Sequence, residues 1–346
     1  MSSPPANPRF ARVDARHDAE FAAWFDVLER SERAAHRGRR DGWLAQEWRA
    51  RALDVAAPSY FAIYSYGDLL APEAVGALEV TRVDNLEWIR GELFVDPLRR
   101  RQGHGSAALA HLEERARELG RRTLLFNVDE DELDRGAGPS RGFAPRYGYW
   151  VVEENVVREL AWPRPTGELN ELTARFGPAA RDYEILSWRN QAPSELVSGL
   201  ARVKAVMPIE VPDAGYGAQE ELWDDARVRH HEERIHEMGR DVLVGAARHR
   251  ATGEIVGFSE LTVSRDVPGT AYQWDTLVVR AHRGHHLGAL LKIATMRLLE
   301  SGGYATRTIY TSNNFLNVAM IAVNNALGAR PTGGNVTWRK DLAPVV

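Results

Sequence analysis

Residues 95–106 read Val-Asp-Pro-Leu-Arg-Arg-Arg-Gln-Gly-His-Gly-Ser and gather three arginines and two glycines into one short turn. An apolar run precedes the turn. An amphipathic run follows it, with Ala108, Leu109, Leu112 and Ala116 on one helical face. A strand that enters such a turn and leaves as a helix presents unpaired backbone N–H groups at the positive end of the helix dipole, which makes an anion cradle. Gly103 and Gly105 let the backbone come close to an anion, and Arg100, Arg101 and Ser106 are candidates to add charge-assisted or hydroxyl hydrogen bonds. Pyrophosphate suits this chemistry, and on these grounds alone any nucleotide would serve. A tight turn without a ligand is the plain alternative.

The pattern occurs twice. Residues 93–105 and 276–288 align at an offset of 183, which sets Arg100 on Arg283, Gly105 on Gly288, Gly120 on Gly303, Glu92 on Asp275 and Val95 on Val278. The flanks agree as well: an apolar strand before, an amphipathic helix after, then another strand. Such a match marks a duplicated architecture. In the first copy helices are expected over 21–32, 43–53 and 103–119. Strands are expected over 60–66, 74–83, 86–95, 123–128 and 149–160, with a short helical stretch near Pro145. In the second copy helices are expected over 193–206, 218–238, 284–300 and 317–327, and strands over 242–248, 255–264, 272–279, 305–311 and 334–339. The fold class is α/β with a mixed sheet, in two tandem domains: residues 1–162, a linker over 163–177 read from its Pro, Gly and charged residues, and residues 178–346.

The Arg100, Gly103 and Gly105 spacing resembles the acetyl-CoA signature of the GNAT acetyltransferases, in which Arg/Gln-x-x-Gly-x-Gly/Ala follows the central strand. The order of elements in both halves is similar to that superfamily, and the doubling is similar to that of mycothiol synthase and other actinobacterial two-domain acetyltransferases. The resemblance implies an acetyl-CoA cosubstrate with its pyrophosphate on Arg100, Arg101, Gln102, Gly103, His104, Gly105 and Ser106, and its thioester near Phe94 and Val95. In the second copy it implies contacts from Val278, Arg283, Gly288 and Asn317, the last near the start of the closing helix. That copy departs from the pattern at His286, whose side chain is expected to narrow the cradle. Where many members carry a general-acid tyrosine, this chain has Asn324 in the second copy and Ala144 in the first.

Acetyl transfer to an amine needs a neutral amine, a polarised carbonyl and a proton for the departing thiolate. Glu87, Glu92 and Asp275 are the candidate bases, with Glu87 and Glu92 on opposite strand faces; each has a salt-bridged or solvent-facing role as its plain alternative. Tyr147 is the candidate acid. His230, His231 and His236 miss the His-Glu-x-x-His zinc spacing by one residue, so a solvated charged helix and no metal site is expected there. His282, His285 and His286 are read as anion or surface contacts.

Composition bounds the rest. With 346 residues the chain suits two cores, and a formal net charge of −4 argues against nucleic acid as a general partner. There is no cysteine, so direct attack in a ternary complex is favoured over a cysteine acyl-enzyme. Met1–Pro8 lacks a signal-peptide core and no apolar run is of membrane-spanning length, which gives the expectation of a cytoplasmic protein, monomer or homodimer, acting on a small-molecule amine. The rival expectation is a non-catalytic or regulatory acyl-CoA-binding protein. Only Lys204, Lys292 and Lys340 are lysines among 44 Lys and Arg residues, a bias read as carrying no function.

Overall fold

The computed structural model describes residues 10–35, 42–131, 138–211 and 217–343; Met1–Pro8 lies outside them. The chain forms two compact units. Unit 1 comprises residues 1–152 and 336–346, and unit 2 residues 153–335.

In unit 1 the elements are β1 (Phe10–Arg12), α1 (Asp18–Ala35), α2 (Ala45–Leu53), β2 (Ser59–Asp68), β3 (Ala71–Thr81), β4 (Trp88–Val95), α3 (His104–Glu118), β5 (Thr123–Asp131) and the short α4 (Pro139–Phe143). Alternation along β3 splits the core between the two sheet faces. Leu78 and Val80 pack with Leu109, Leu112 and Leu124 on the α3 side, while Val75 and Ala77 pack with Phe21, Trp24, Leu28 and Trp48 on the α1–α2 side. Strands β1 to β4 are antiparallel, and β4 runs parallel to β5.

Strand β6 (Trp150–Ala161) leads into unit 2, which continues with α5 (Glu168–Phe176), β7 (Tyr183–Arg189), α6 (Val197–Glu210), α7 (Asp225–Glu237), β8 (Arg240–His249), β9 (Ile255–Ser264), β10 (Thr270–Val278), α8 (Leu287–Ser301), β11 (Thr308–Asn314), α9 (Val318–Ala326) and β12 (Arg330–Asp341). The sheet of unit 2 repeats the pattern, with β7 to β10 antiparallel and β10 parallel to β11.

Three expectations from the sequence need correction. The stretch 163–177 is not a free linker: Leu169 and Phe176, seven residues apart on one face of α5, are buried in the core of unit 2 with Leu287 and Leu291 of α8. The closing strands also do not stay with their own copies. Beyond Val152, β6 pairs antiparallel with β11 of unit 2. The C-terminal residues Val336, Trp338 and Leu342 instead enter the core of unit 1 beside Leu109, Leu124 and Phe126. Leu342 N donates to Arg122 O at 2.7 Å, and Thr123 Oγ1 to Asp341 Oδ1 at 3.1 Å. Alternating apolar residues identify a strand but carry no information about which neighbour it takes. Finally, the edge strands β1 and β7 were not anticipated; β1 pairs with β2 and β7 with β8, both antiparallel. Among the described residues no helix is long and apolar enough to cross a membrane.

Candidate functional site

In unit 1 the parallel ladder between β4 and β5 stops at Gly91↔Phe126, so residues 92–95 and 127–131 run on without pairing to each other. Gly91 is required at this point, because a Cβ there would fall 2.7 Å from the Phe126 ring. The end of β4 passes through a single 3₁₀ turn at Pro97–Arg99, started by Asp96, whose side chain accepts from Leu98 N at 2.9 Å. The chain then enters α3 through two left-handed residues, Arg101 (φ 64°) and Gly103 (φ 93°). A Cβ on Gly103 would meet nothing within 4 Å, so open space borders the residue that leads into α3. Gly105 is needed for close packing instead, since its Cβ would lie 3.2 Å from Val95 Cγ2.

The side chains expected to bind an anion divide in use. Arg100 folds back, its Nε 3.4 Å from Val95 O and its Nη2 3.1 Å from Ser31 Oγ, so it braces the turn. Arg101 and Gln102 are exposed, with Gln102 Nε2 3.5 Å from Leu98 O. The His104 ring sits edge-on to Tyr66 at 5.4 Å, turned toward β2. Phe94 is partly buried against the α1–α2 side of the core. Ser106 Oγ hydrogen-bonds Tyr147 OH, and Tyr147 packs on Phe143 at 4.8 Å. The candidate acid therefore reaches the first turn of α3 from the segment after α4.

Glu92 lies where the strands part, opposite Ala77 of β3. It keeps some accessible surface yet is recessed among protein, which deprives its carboxylate of hydration. Burial, followed by the like charges of Asp129, Glu32 and Glu79, raises its carboxyl to about 8, against the pull of Arg51. Glu87 is not brought to this place. It is exposed, 3.4 Å from Arg122 Nε, and precedes β4, about 26 Å of extended chain from Val95 at roughly 3.3 Å per residue.

Unit 2 builds the same frame. The β10–β11 ladder stops at Gln273↔Thr311. Arg283 repeats the brace, with Nε 2.9 Å from Val278 O and Nη2 2.8 Å from Glu210 Oε2. Gly284 (φ 87°) and His286 (φ 56°) are the left-handed pair. The expectation that His286 narrows the cradle is not how its ring is used, for it packs on Phe176 at 5.2 Å. His282 Nδ1 meets Tyr183 OH at 2.9 Å and His285 Nδ1 meets Ala179 O at 3.1 Å, so both histidines hold the loop to its surroundings. A Cβ on Gly288 would touch only Val323 Cγ2, at 3.8 Å. Asn317 caps α9, its Oδ1 accepting from Met320 N at 3.1 Å.

Two ionic groups in unit 2 were missed by the sequence reading. Lys292, 2 % exposed, donates to Thr311 Oγ1 and Asn324 Oδ1, and Asn324 Nδ2 donates to Asn313 Oδ1. Burial, then Arg158, lowers this ammonium to about 7. The second is Lys204, ion-paired with Glu260 at 2.7 Å beside His231 and Asp275. α7 is thus not simply a solvated helix. His231 turns to Glu260, while His236 Nδ1 contacts Arg265 Nη1 at 2.7 Å, so the two imidazoles do not converge. The scarcity of lysine was the available signal: with arginine used almost everywhere else, each remaining lysine occupies an internal contact, Lys340 with Glu113 at 2.7 Å.

Residues 21–137 match the family model described as the Acetyltransferase (GNAT) family. No curated relative matches the sequence. Among solved structures the chain is similar to a tandem GNAT protein from the clavulanic acid biosynthesis pathway, with a TM-score of 0.74 and 25 % identity over 98 % of this chain and 100 % of that one. It also has the fold of a GCN5-related N-acetyltransferase from Sphaerobacter thermophilus, with a TM-score of 0.63 and 15 % identity over 98 % and 97 % of the two chains.

Proposed function

We propose that this chain, which carries a GNAT-family domain over residues 21–137 within a tandem GNAT fold, moves an acetyl group from acetyl-CoA to the amine of a small molecule in unit 1. The observation that carries the reading is the meeting of two features. An open helix N-terminus stands at Gly103, and a recessed Glu92 raised to about 8 stands where β4 and β5 part. The first suits a pyrophosphate and the second a general base working near neutral pH.

Acetyl-CoA, when bound, supplies an activated acyl carbon. The amides of residues 103–106 would hold its pyrophosphate, with the exposed Arg101 adding charge and Arg100 keeping the turn in shape. The unpaired edge at Phe94 and Val95 offers backbone groups to the thioester arm. Glu92 accepts a proton from the acceptor ammonium, which frees the nitrogen lone pair for direct attack. The carboxylates Glu32, Glu79 and Asp129 around it favour a cation in that place over an anion. Tyr147, whose hydroxyl hydrogen-bonds Ser106 Oγ, would protonate the departing thiolate. Release of free thiol from acetyl-CoA on addition of amines tests the reading, because a non-catalytic binding protein would bind acetyl-CoA and release none.

A further inference from the structure

Unit 2 sets a second group of reactive side chains where its own strands part. Pairing of β10 with β9 slips between Gln273 and Thr276, so Trp274 and Asp275 together face the single residue Glu260. A bulge of this kind re-aims side chains and recurs beside active sites. Asp275 is accessible at its surface but recessed among protein. Burial raises its carboxyl to about 6, with Lys204 opposing and Glu260 and Glu221 adding to the rise.

Glu260 is 2 % exposed. Its Oε1 takes Lys204 Nζ at 2.7 Å, and the Lys204 ammonium lies 4.6 Å from the Phe258 ring and 5.1 Å from that of Trp223. Its Oε2 faces His231 Nε2 at 3.5 Å, a longer contact than the one to Lys204. Burial opposes the charge on Glu260, but Lys204 and then His231 hold it at about 2. Burial, then Lys204, pushes His231 below its usual value.

At the offset of 183 unit 1 has Trp48, Ala77 and Glu92 in the places of His231, Glu260 and Asp275. Trp48 and Ala77 are buried apolar core. A buried ionic cluster is a costly replacement for such a core, and packing alone gives no reason for it.

We infer that unit 2 is a second acyl-transfer centre, in which Asp275 takes the proton of an attacking amine and the buried Lys204–Glu260–His231 cluster behind the bulge positions and charges it. The inference rests on the acyl-CoA reading of the fold. The acceptor nitrogen sheds its proton to the Asp275 carboxylate and forms the C–N bond as the C–S bond of the thioester breaks. Coenzyme A leaves as thiolate, which recovers a proton from Asp275 or water. Glu260, Lys204 and His231 are positioning residues and do not touch the reacting atoms.

The test uses the full chain with Gly103→Glu, which fills the unit 1 cradle. Acetyl-CoA is titrated by calorimetry, and free thiol is followed with hydroxylamine, spermidine and glucosamine as acceptors. The expected result is two acetyl-CoA sites in the wild type, one in Gly103→Glu, and amine-dependent thiol release by that variant. Adding Asp275→Asn keeps the one site and lowers release about a hundredfold. Adding Glu260→Gln leaves Lys204 uncompensated beside Asp275 and Glu221, which moves the acid limb of the pH–rate profile to lower pH, a shift that a merely structural role would not produce. One bound acetyl-CoA without release by Gly103→Glu, while the wild type releases thiol, would overturn the inference alone, and so would no binding by that variant. No binding by the wild type would sink the acyl-CoA reading and this inference with it.

Discussion

The turns before α3 and α8 use the same pair of left-handed residues in opposite chemical order. Unit 1 has Arg101 then Gly103, and unit 2 has Gly284 then His286. Each turn is braced by the same arginine, Arg100 or Arg283, bent onto the carbonyl five residues earlier. A loop backbone can therefore survive loss of its signature glycine when a glycine two residues away takes part of the strain and the new side chain finds a partner, here Phe176. The two units diverge at the places of His231 and Glu260, where unit 1 has Trp48 and Ala77 in its apolar core and unit 2 has a buried ionic cluster. The comparison locates the difference between them in what lies beside the carboxylate, with the frame of the turn held in common.

Removing residues 171–346 should have the largest effect. It strips Val336, Trp338 and Leu342, at 2 %, 4 % and 6 % exposure, from the core of unit 1. At roughly 1.5–3 kcal/mol for each buried side chain the loss rivals the stability of a whole domain. Segment 1–170 should show no cooperative thermal transition by circular dichroism. A sharp transition would mean that the C-terminal strand is dispensable to unit 1.

Replacing the base of one unit while the other is silent sharpens the contrast further. On an Asp275→Asn background, Glu92→Gln should lower amine-dependent thiol release about a hundredfold. With Glu92 intact, the rate should climb as pH rises toward about 8, where its carboxyl loses the proton. A flat profile from pH 6 to 9 would remove Glu92 from the role of base.

At the cradle itself, Gly103→Glu should weaken acetyl-CoA binding to unit 1 by more than about tenfold, some 1.4 kcal/mol, because an anion then occupies the phosphate position. Unchanged affinity in a folded variant would take the site away from this loop.

The last contrast concerns Lys292, which stands where unit 1 has the buried Leu109. Its folded value of about 7 lies below the ordinary lysine value of 10.5, so between these two the unfolded chain binds more protons and stability rises with pH. Lys292→Met should flatten that rise in chemical denaturation series at pH 7, 8.5 and 10. A slope equal to that of the wild type would assign the dependence to another group.

Much of this was readable from the residues alone. The repeat at 183, the strand-turn-helix at Val95–Gly105 and the placement of Glu92 and Asp275 at the end of a central strand follow from periodicity and glycine position, which are local properties. The partner of β12 and the direction of Arg100 were not readable, because strand pairing and long side chains are settled by neighbours distant in sequence. The helix at Glu168–Phe176 was hidden by its charged residues, although Leu169, Leu172 and Phe176 already traced one face. Glu260 and His231 lie 15 and 44 residues before Asp275, and only the bulge in β10 and the seat of α7 bring them together.

The most direct measurement of the central claim is mass spectrometry of the products when the wild-type protein meets acetyl-CoA and a primary amine. The account predicts an acceptor heavier by one acetyl group on nitrogen, formed in step with free coenzyme A. Tight binding of acetyl-CoA with neither product formed across a broad panel of amines would contradict it, and would leave an acyl-CoA-binding protein in its place.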